Sequence, residues 1–152
     1  MLKKNFIKIF IILFLLSGCG YTPIYTNKDY NFTIISLKTI GNDKLNKIIT
    51  NRLSVYKNIN SKKQFNLIIN TNLEKKIASK DSKGNPKTYR IVLNTKIIVS
   101  DSVGTTKEKS FSKTLDYNNK SKKSELKKYE DRSAKNLTEK ISEEIIIYLV
   151  SS

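Results

Sequence analysis

Gln64-Phe65-Asn66-Leu67-Ile68-Ile69-Asn70-Thr71-Asn72-Leu73-Glu74-Lys75-Lys76-Ile77 decides the fold. Phe65, Leu67, Ile69, Thr71 and Leu73 fall at every second position. Gln64, Asn66, Asn70, Asn72 and Glu74 fall between them, with Ile68 as the exception. A period of two puts these sets on opposite faces of a strand. The pattern returns in 88–100, where Tyr89, Ile91, Leu93, Thr95, Ile97 and Val99 share a face. It returns again in 107–117, with Phe111, Leu115 and Tyr117 inward and Lys113 as an awkward member of the same face. The segment Ser79-Lys80-Asp81-Ser82-Lys83-Gly84-Asn85-Pro86 and the shorter Asp101-Ser102-Val103-Gly104 separate the three runs as turns. Each strand buries one side only, which predicts an antiparallel meander with one wet face.

Outward from the meander, 32–40 has the β-branched content of a fourth strand, ended by Gly41. Asn42 and Asp43 are N-cap candidates for an amphipathic helix to about residue 58, with Leu45, Ile48, Ile49, Leu53 and Tyr56 at helical spacing. After the polar loop 118–123, Ser124 is placed to cap a long helix to about residue 149. Its stripe is Leu126, Tyr129, Ala134, Leu137, Ile141, Ile145, Tyr148 and Leu149. The order is β-α-β-β-β-α. The fold class is α+β: a two-layer sandwich with two helices on one face of a four-stranded, mostly antiparallel sheet.

The chain has 152 residues and a formal charge of +16, with no His, no Trp and one Cys. That composition excludes a Cys/His zinc site, His-ligated haem, a His-dependent catalytic set and an intrachain disulfide. Only Arg52, Arg90 and Arg132 among the 29 basic residues are Arg, which disfavours bidentate base readout. The charge asks for an anionic partner.

The start of the chain narrows that choice. Lys3, Lys4 and Lys8 precede and flank the apolar run Ile9–Leu16, which is too short to span a bilayer and fits a secretory signal peptide. Leu16-Ser17-Gly18-Cys19 resembles a bacterial lipobox. We therefore expect residues 1–18 to be a signal peptide, Cys19 to carry acyl chains such as palmitate, 19–31 to be a lipidated tether and 32–152 to be one domain. Several acyl chains on one residue give stable anchoring. Resemblance to lipoprotein precursors implies that Gly20, standing where Asp would favour inner-membrane retention, directs the chain to the outer membrane. Loss of 1–18 lowers the charge to +13. In the periplasm that charge points to a membrane surface or an acidic glycolipid, and nucleic acid is not expected as a partner.

Cys19-Gly20-Tyr21-Thr22-Pro23-Ile24-Tyr25, directly after the lipobox, and the element order together resemble the LPS-assembly lipoprotein family (LptE). The resemblance implies an outer-membrane lipoprotein, facing the periplasm or inside a barrel lumen. It implies that the chain plugs and helps assemble the lipopolysaccharide-translocating β-barrel and assists insertion of lipopolysaccharide into the outer leaflet. The partners implied are that barrel and lipopolysaccharide.

The meander brings the end of its first strand, its first turn and the end of its third strand to one edge. That edge carries Lys75, Lys76, Lys80, Lys83, Lys87, Arg90, Lys120, Lys122 and Lys123. These are the candidate lipopolysaccharide contacts; the plain alternative is that they are solvated turn lysines. Asn66, Asn70, Asn72, Asn94, Lys96 and Ser100 line the wet face, and Ile68, Val92 and Ile98 project there too, which favours a partner surface. Tyr21, Tyr25 and Tyr30 suit either a membrane interface or a fold-back onto the domain. Glu130-Asp131 and Glu143-Glu144 are helix neighbours about 100° apart and do not converge, so no enzyme and no cofactor or metal are expected. The competing reading is an auxiliary envelope lipoprotein of an ABC-type lipid trafficking system.

Overall fold

The computed structural model describes residues 32–57 and 60–152. The signal peptide, Cys19 and the whole of the tether expected from the sequence lie outside the described residues. The elements are β1 (Phe32–Gly41), α1 (Asp43–Leu53), a 3₁₀ turn (Ser54–Tyr56), β2 (Lys63–Lys80), β3 (Pro86–Asp101), β4 (Thr106–Asn118) and α2 (Lys123–Ser151). The sheet order is β1-β2-β3-β4. β1 runs parallel to β2, and β2–β3 and β3–β4 are antiparallel. The two-layer α+β arrangement is the one the periodicity predicts.

Alternation along the strands becomes burial. Phe65, Leu67, Ile69, Ile91, Leu93, Ile97 and Val99 are buried on the inner face. They meet Leu45, Ile49 and Leu53 of α1 and Leu137, Ile141, Ile145 and Leu149 of α2. Buried Thr138 and Ser142 sit in the same stripe and donate to the carbonyls of Ala134 and Thr138 at 2.7 and 2.8 Å. Asn42 caps α1, its Oδ1 accepting the Leu45 amide at 3.1 Å. α1 is shorter than expected: Tyr56 reaches the core through the 3₁₀ turn and stacks on Phe32 with centroids 5.1 Å apart.

Ser124 does not cap α2. The cap position is Lys122, which makes no side-chain cap bond, and the helix begins at Lys123. The Leu126 amide already closes a turn on the Lys122 carbonyl at 3.1 Å, so Ser124 lies inside the first turn. Glu125 supplies the negative charge that a helix N-terminus favours.

The register separates two poles. Phe32 lies opposite Lys63, and Phe65 lies opposite Asp101. Thr33 Oγ1 donates to the Tyr56 carbonyl at 3.1 Å, and Lys63 Nζ donates to the Ser152 carbonyl at 3.0 Å. One pole therefore gathers the start of β1, the 3₁₀ turn, the β3–β4 turn and the end of α2. The opposite pole gathers the end of β2, the β2–β3 turn, the end of β4 and the start of α2. The eighteen residues of β2 separate them by about 55 Å.

Candidate functional site

The basic residues expected at one edge do meet at the second pole. Lys76, Arg90 and Asp116 form one row across β2, β3 and β4, and Ile77, Tyr89 and Tyr117 form the next. The β2–β3 turn is held from within: Asp81 Oδ1 accepts the amides of Lys83 and Asn85 at 2.9 and 2.8 Å, and Gly84 takes a positive φ of 83°. The Asn85 amide, as the main cause, holds the Asp81 carboxyl below its ordinary value. Asn119 ties the next loop to the same turn, its amide donating to Lys87 O at 2.9 Å and its Nδ2 to Pro86 O at 2.9 Å.

The nine candidates divide by what they already touch. Arg90 makes a two-pronged pair with Asp116 at 2.6 and 2.7 Å. That pair raises Arg90 and lowers Asp116 from their ordinary values. Lys76 pairs with Glu74 at 2.7 Å and Lys122 with Glu125 at 3.3 Å. Lys75 turns to the helix side, bonding Glu130 at 2.5 Å with its Nζ 4.0 Å from the Tyr89 ring centre. Lys120 lies 5.1 Å from the Tyr129 ring centre. Among the described residues, Lys80, Lys83, Lys87 and Lys123 are exposed and make no ion pair. These four are the charges left to meet a ligand.

Sequence reading missed the aromatic floor beneath them. Tyr89 stacks on Tyr117 at 5.8 Å, and Tyr117 meets Tyr129 at 5.5 Å. Tyr117 is buried and donates its hydroxyl to Glu130 at 2.8 Å. Burial first, and Glu130 second, push its phenol well above the usual range. Tyr117, Tyr129, Asn119 and Lys120 line an open cleft of about 580 Å³ at this pole. The available signal was that all three tyrosines fall at the ends of their elements that share the pole.

The open sheet face is a second candidate surface. Neither helix covers it, and the register orders it into rows. Ser36 donates to Asn66 at 2.7 Å, and Ser112 donates to Asn94 at 2.7 Å. Lys96 pairs with Glu108 at 2.7 Å. Ile68 and Ile98 are direct partners across β2 and β3, and Val92 lies further along the same face. All three are half-buried.

No protein-family model matches the sequence, and no curated protein does. Solved structures do match. The rare lipoprotein B of Shewanella oneidensis superposes with a TM-score of 0.59 at 18% identity, over 76% of this chain and 94% of that one. A minor lipoprotein of Acinetobacter baumannii superposes at 0.60 and 12% identity, over 80% and 92%. The uncharacterized lipoprotein B of Nitrosomonas europaea superposes at 0.53 and 13% identity, over 76% and 80%. Two helices on one face of a four-stranded β-α-β-β-β-α sheet are therefore a fold this chain has in common with those lipoproteins.

Proposed function

We propose that this chain is a lipid-anchored lipoprotein of the outer membrane that plugs and helps assemble a lipopolysaccharide-translocating β-barrel. It assists insertion of lipopolysaccharide into the outer leaflet and carries out no covalent chemistry. The observation that carries the reading is the uncovered sheet face. Its central rows are rich in Asn, Ser and Thr, most of its charges are paired with one another (Lys76–Glu74, Arg90–Asp116, Lys96–Glu108), and its Ile68–Ile98 pair and Val92 give it apolar grip. Such a face suits the polar interior of a barrel. The lipobox before Cys19 and the fold shared with lipoproteins support anchoring in the envelope. The unpaired lysines of the second pole then meet lipopolysaccharide phosphates or acidic sugars.

The test is affinity purification of the tagged full chain from its own envelope in mild detergent. One large outer-membrane barrel protein is expected at one-to-one stoichiometry, and Ile68→Asp with Ile98→Asp is expected to lose it. Recovery without any barrel overturns the reading. Depletion discriminates further: loss of surface lipopolysaccharide with a misfolded barrel is expected. Altered phospholipid asymmetry with an intact barrel would instead support an ABC-type lipid trafficking accessory.

A further inference from the structure

Seven large apolar side chains are exposed among the described residues: Ile35, Ile40, Val55, Ile77, Val103, Ile147 and Val150. Five of them belong to one pole. Ile35 is the extra residue of the β1 bulge near Phe32. Val55 is in the 3₁₀ turn that Phe32 and Thr33 contact. Val103 tips the β3–β4 turn, and Ile147 and Val150 are in the last two turns of α2. Ile40 and Ile77 alone lie away from this pole.

Val103 is 90% exposed on a turn that is rigidly held. Asp101 Oδ1 accepts the amides of Val103 and Thr105 at 3.0 and 2.8 Å, and Gly104 takes a φ of 92°. The Thr105 amide, as the main cause, keeps the Asp101 carboxyl below its ordinary value, so this clamp stays charged and closed. Exposed Lys57, Lys62, Lys63 and Lys107 stand around the same pole. Lys62, Lys63 and Lys107 line a cleft of about 270 Å³ with Phe65, Val99 and Val103. An apolar tip ringed by lysines is the composition that sits at the boundary of acyl chains and anionic headgroups.

The tether ends at this pole. Phe32 is thirteen residues beyond Cys19, and thirteen residues of any conformation reach at most about 47 Å. The second pole lies about 55 Å further along β2. We infer that the pole formed by Val55, Val103, Ile147 and Val150 with Lys57, Lys62, Lys63 and Lys107 docks on the phospholipid surface that holds the acylated Cys19. Before a barrel takes it up, the domain then stands on the membrane with its tyrosine-floored pole pointing away. This inference rests on the lipid-anchor part of the proposed function. The occupant is a phospholipid bilayer, because the pole's lysines complement anionic headgroups and the tether delivers it there.

The experiment uses the full acylated chain in vesicles of phosphatidylethanolamine with a minority of phosphatidylglycerol. Single environment-sensitive fluorophores are placed through Val103→Cys, Val150→Cys and, at the far turn, Ser82→Cys. Flotation reports anchoring separately. Probes at 103 and 150 are expected to shift to the blue and lose most of their quenching by iodide, while the probe at 82 stays fully quenched. Val103→Asp is expected to restore quenching at 150, and phosphatidylcholine alone to weaken the shielding. Chains that float but are quenched equally at all three sites overturn the inference and leave the anchor intact. Shielding that arises only when a barrel protein is added overturns it in favour of a protein surface. Chains that fail to float overturn the anchor and this inference together.

Discussion

Thr71 Oγ1 donates to Asn46 Oδ1 at 2.5 Å inside the core, and Asn46 Nδ2 donates to the Ile40 carbonyl at 3.0 Å. One buried amide thus ties the first turn of α1 to the end of β1 and the middle of β2. Asn46→Ala strands the Thr71 hydroxyl and the Ile40 carbonyl. It is expected to cost about 2–4 kcal/mol, since each buried group left unpaired costs about 1–3 kcal/mol. Thr71→Val strands only Asn46 Oδ1 and is expected to cost roughly half as much. Urea unfolding midpoints measure both, and equal losses would show that the amide is not shared in this way.

Gly41 stands at the same corner with a φ of 92°. A Cβ there would lie 2.1 Å from the Thr71 carbonyl oxygen, which accepts the Asn42 amide at 3.1 Å. Gly41→Ala combines a left-handed backbone with a collision against backbone, and is expected to cost at least about 3 kcal/mol. Gly84→Ala has positive φ but open space, and is expected to cost about 1–2 kcal/mol. Comparing their unfolding curves checks that close approach, and not φ alone, governs position 41.

The strands were legible because period two needs no partner to be read. Phe65, Leu67 and Ile69 announce their face whichever strands lie beside them. The pairing that gives Lys113 and Asn46 their meaning is not local. Lys113 breaks the alternation of β4, yet its Nζ meets Glu144 of α2, thirty-one residues later. The basic edge was legible as a place, since the turns fix which segments meet. Which of its lysines are free was not, because Arg90–Asp116 and Lys75–Glu130 form between residues 26 and 55 positions apart. The tyrosine floor was hidden for the same reason: its three rings come from three elements.

Lys113 and Glu144 keep about a third of their side-chain surface in solvent. Such a pair contributes little beyond about 1 kcal/mol. Lys113→Met leaves Glu144 close to water and packs apolar surface beside Leu93, its partner in β3. Stability is expected to change by less than about 1 kcal/mol in either direction. A loss of several kcal/mol in calorimetry would make the pair a structural requirement.

Tyr117 predicts an alkaline limit. Burial and the Glu130 contact raise its folded pKa above the ordinary value of 10.0. Below that value both folded and unfolded chains hold the proton, and the contribution to stability is complete. As pH rises past 10, the unfolded chain releases the proton first, so stability falls until the folded phenol also ionises. Absorbance of ionised tyrosine is expected to show one late group, accompanied by unfolding. Tyr117→Phe is expected to remove that group and flatten the decline. An unchanged alkaline profile in the variant would assign the limit elsewhere.

Lys80, Lys83, Lys87 and Lys123 are the basic-edge residues with neither an acidic nor an aromatic side-chain partner among the described residues. Reversing all four to Glu replaces attraction by repulsion at one pole. At about 1 kcal/mol for each lysine near an anionic lipid surface, binding of purified lipopolysaccharide is expected to weaken by roughly a hundredfold or more. The loss is expected to shrink in high salt, because these charges are exposed and screened. The control reverses Lys38, Lys47, Lys109 and Lys140, which are equally exposed but lie elsewhere. Both variants carry the same net charge, so a pole that recognises the ligand separates them, whereas attraction to the whole chain does not. Equal losses in the two, measured by titration at matched ionic strength, would leave the second pole with no special part in binding.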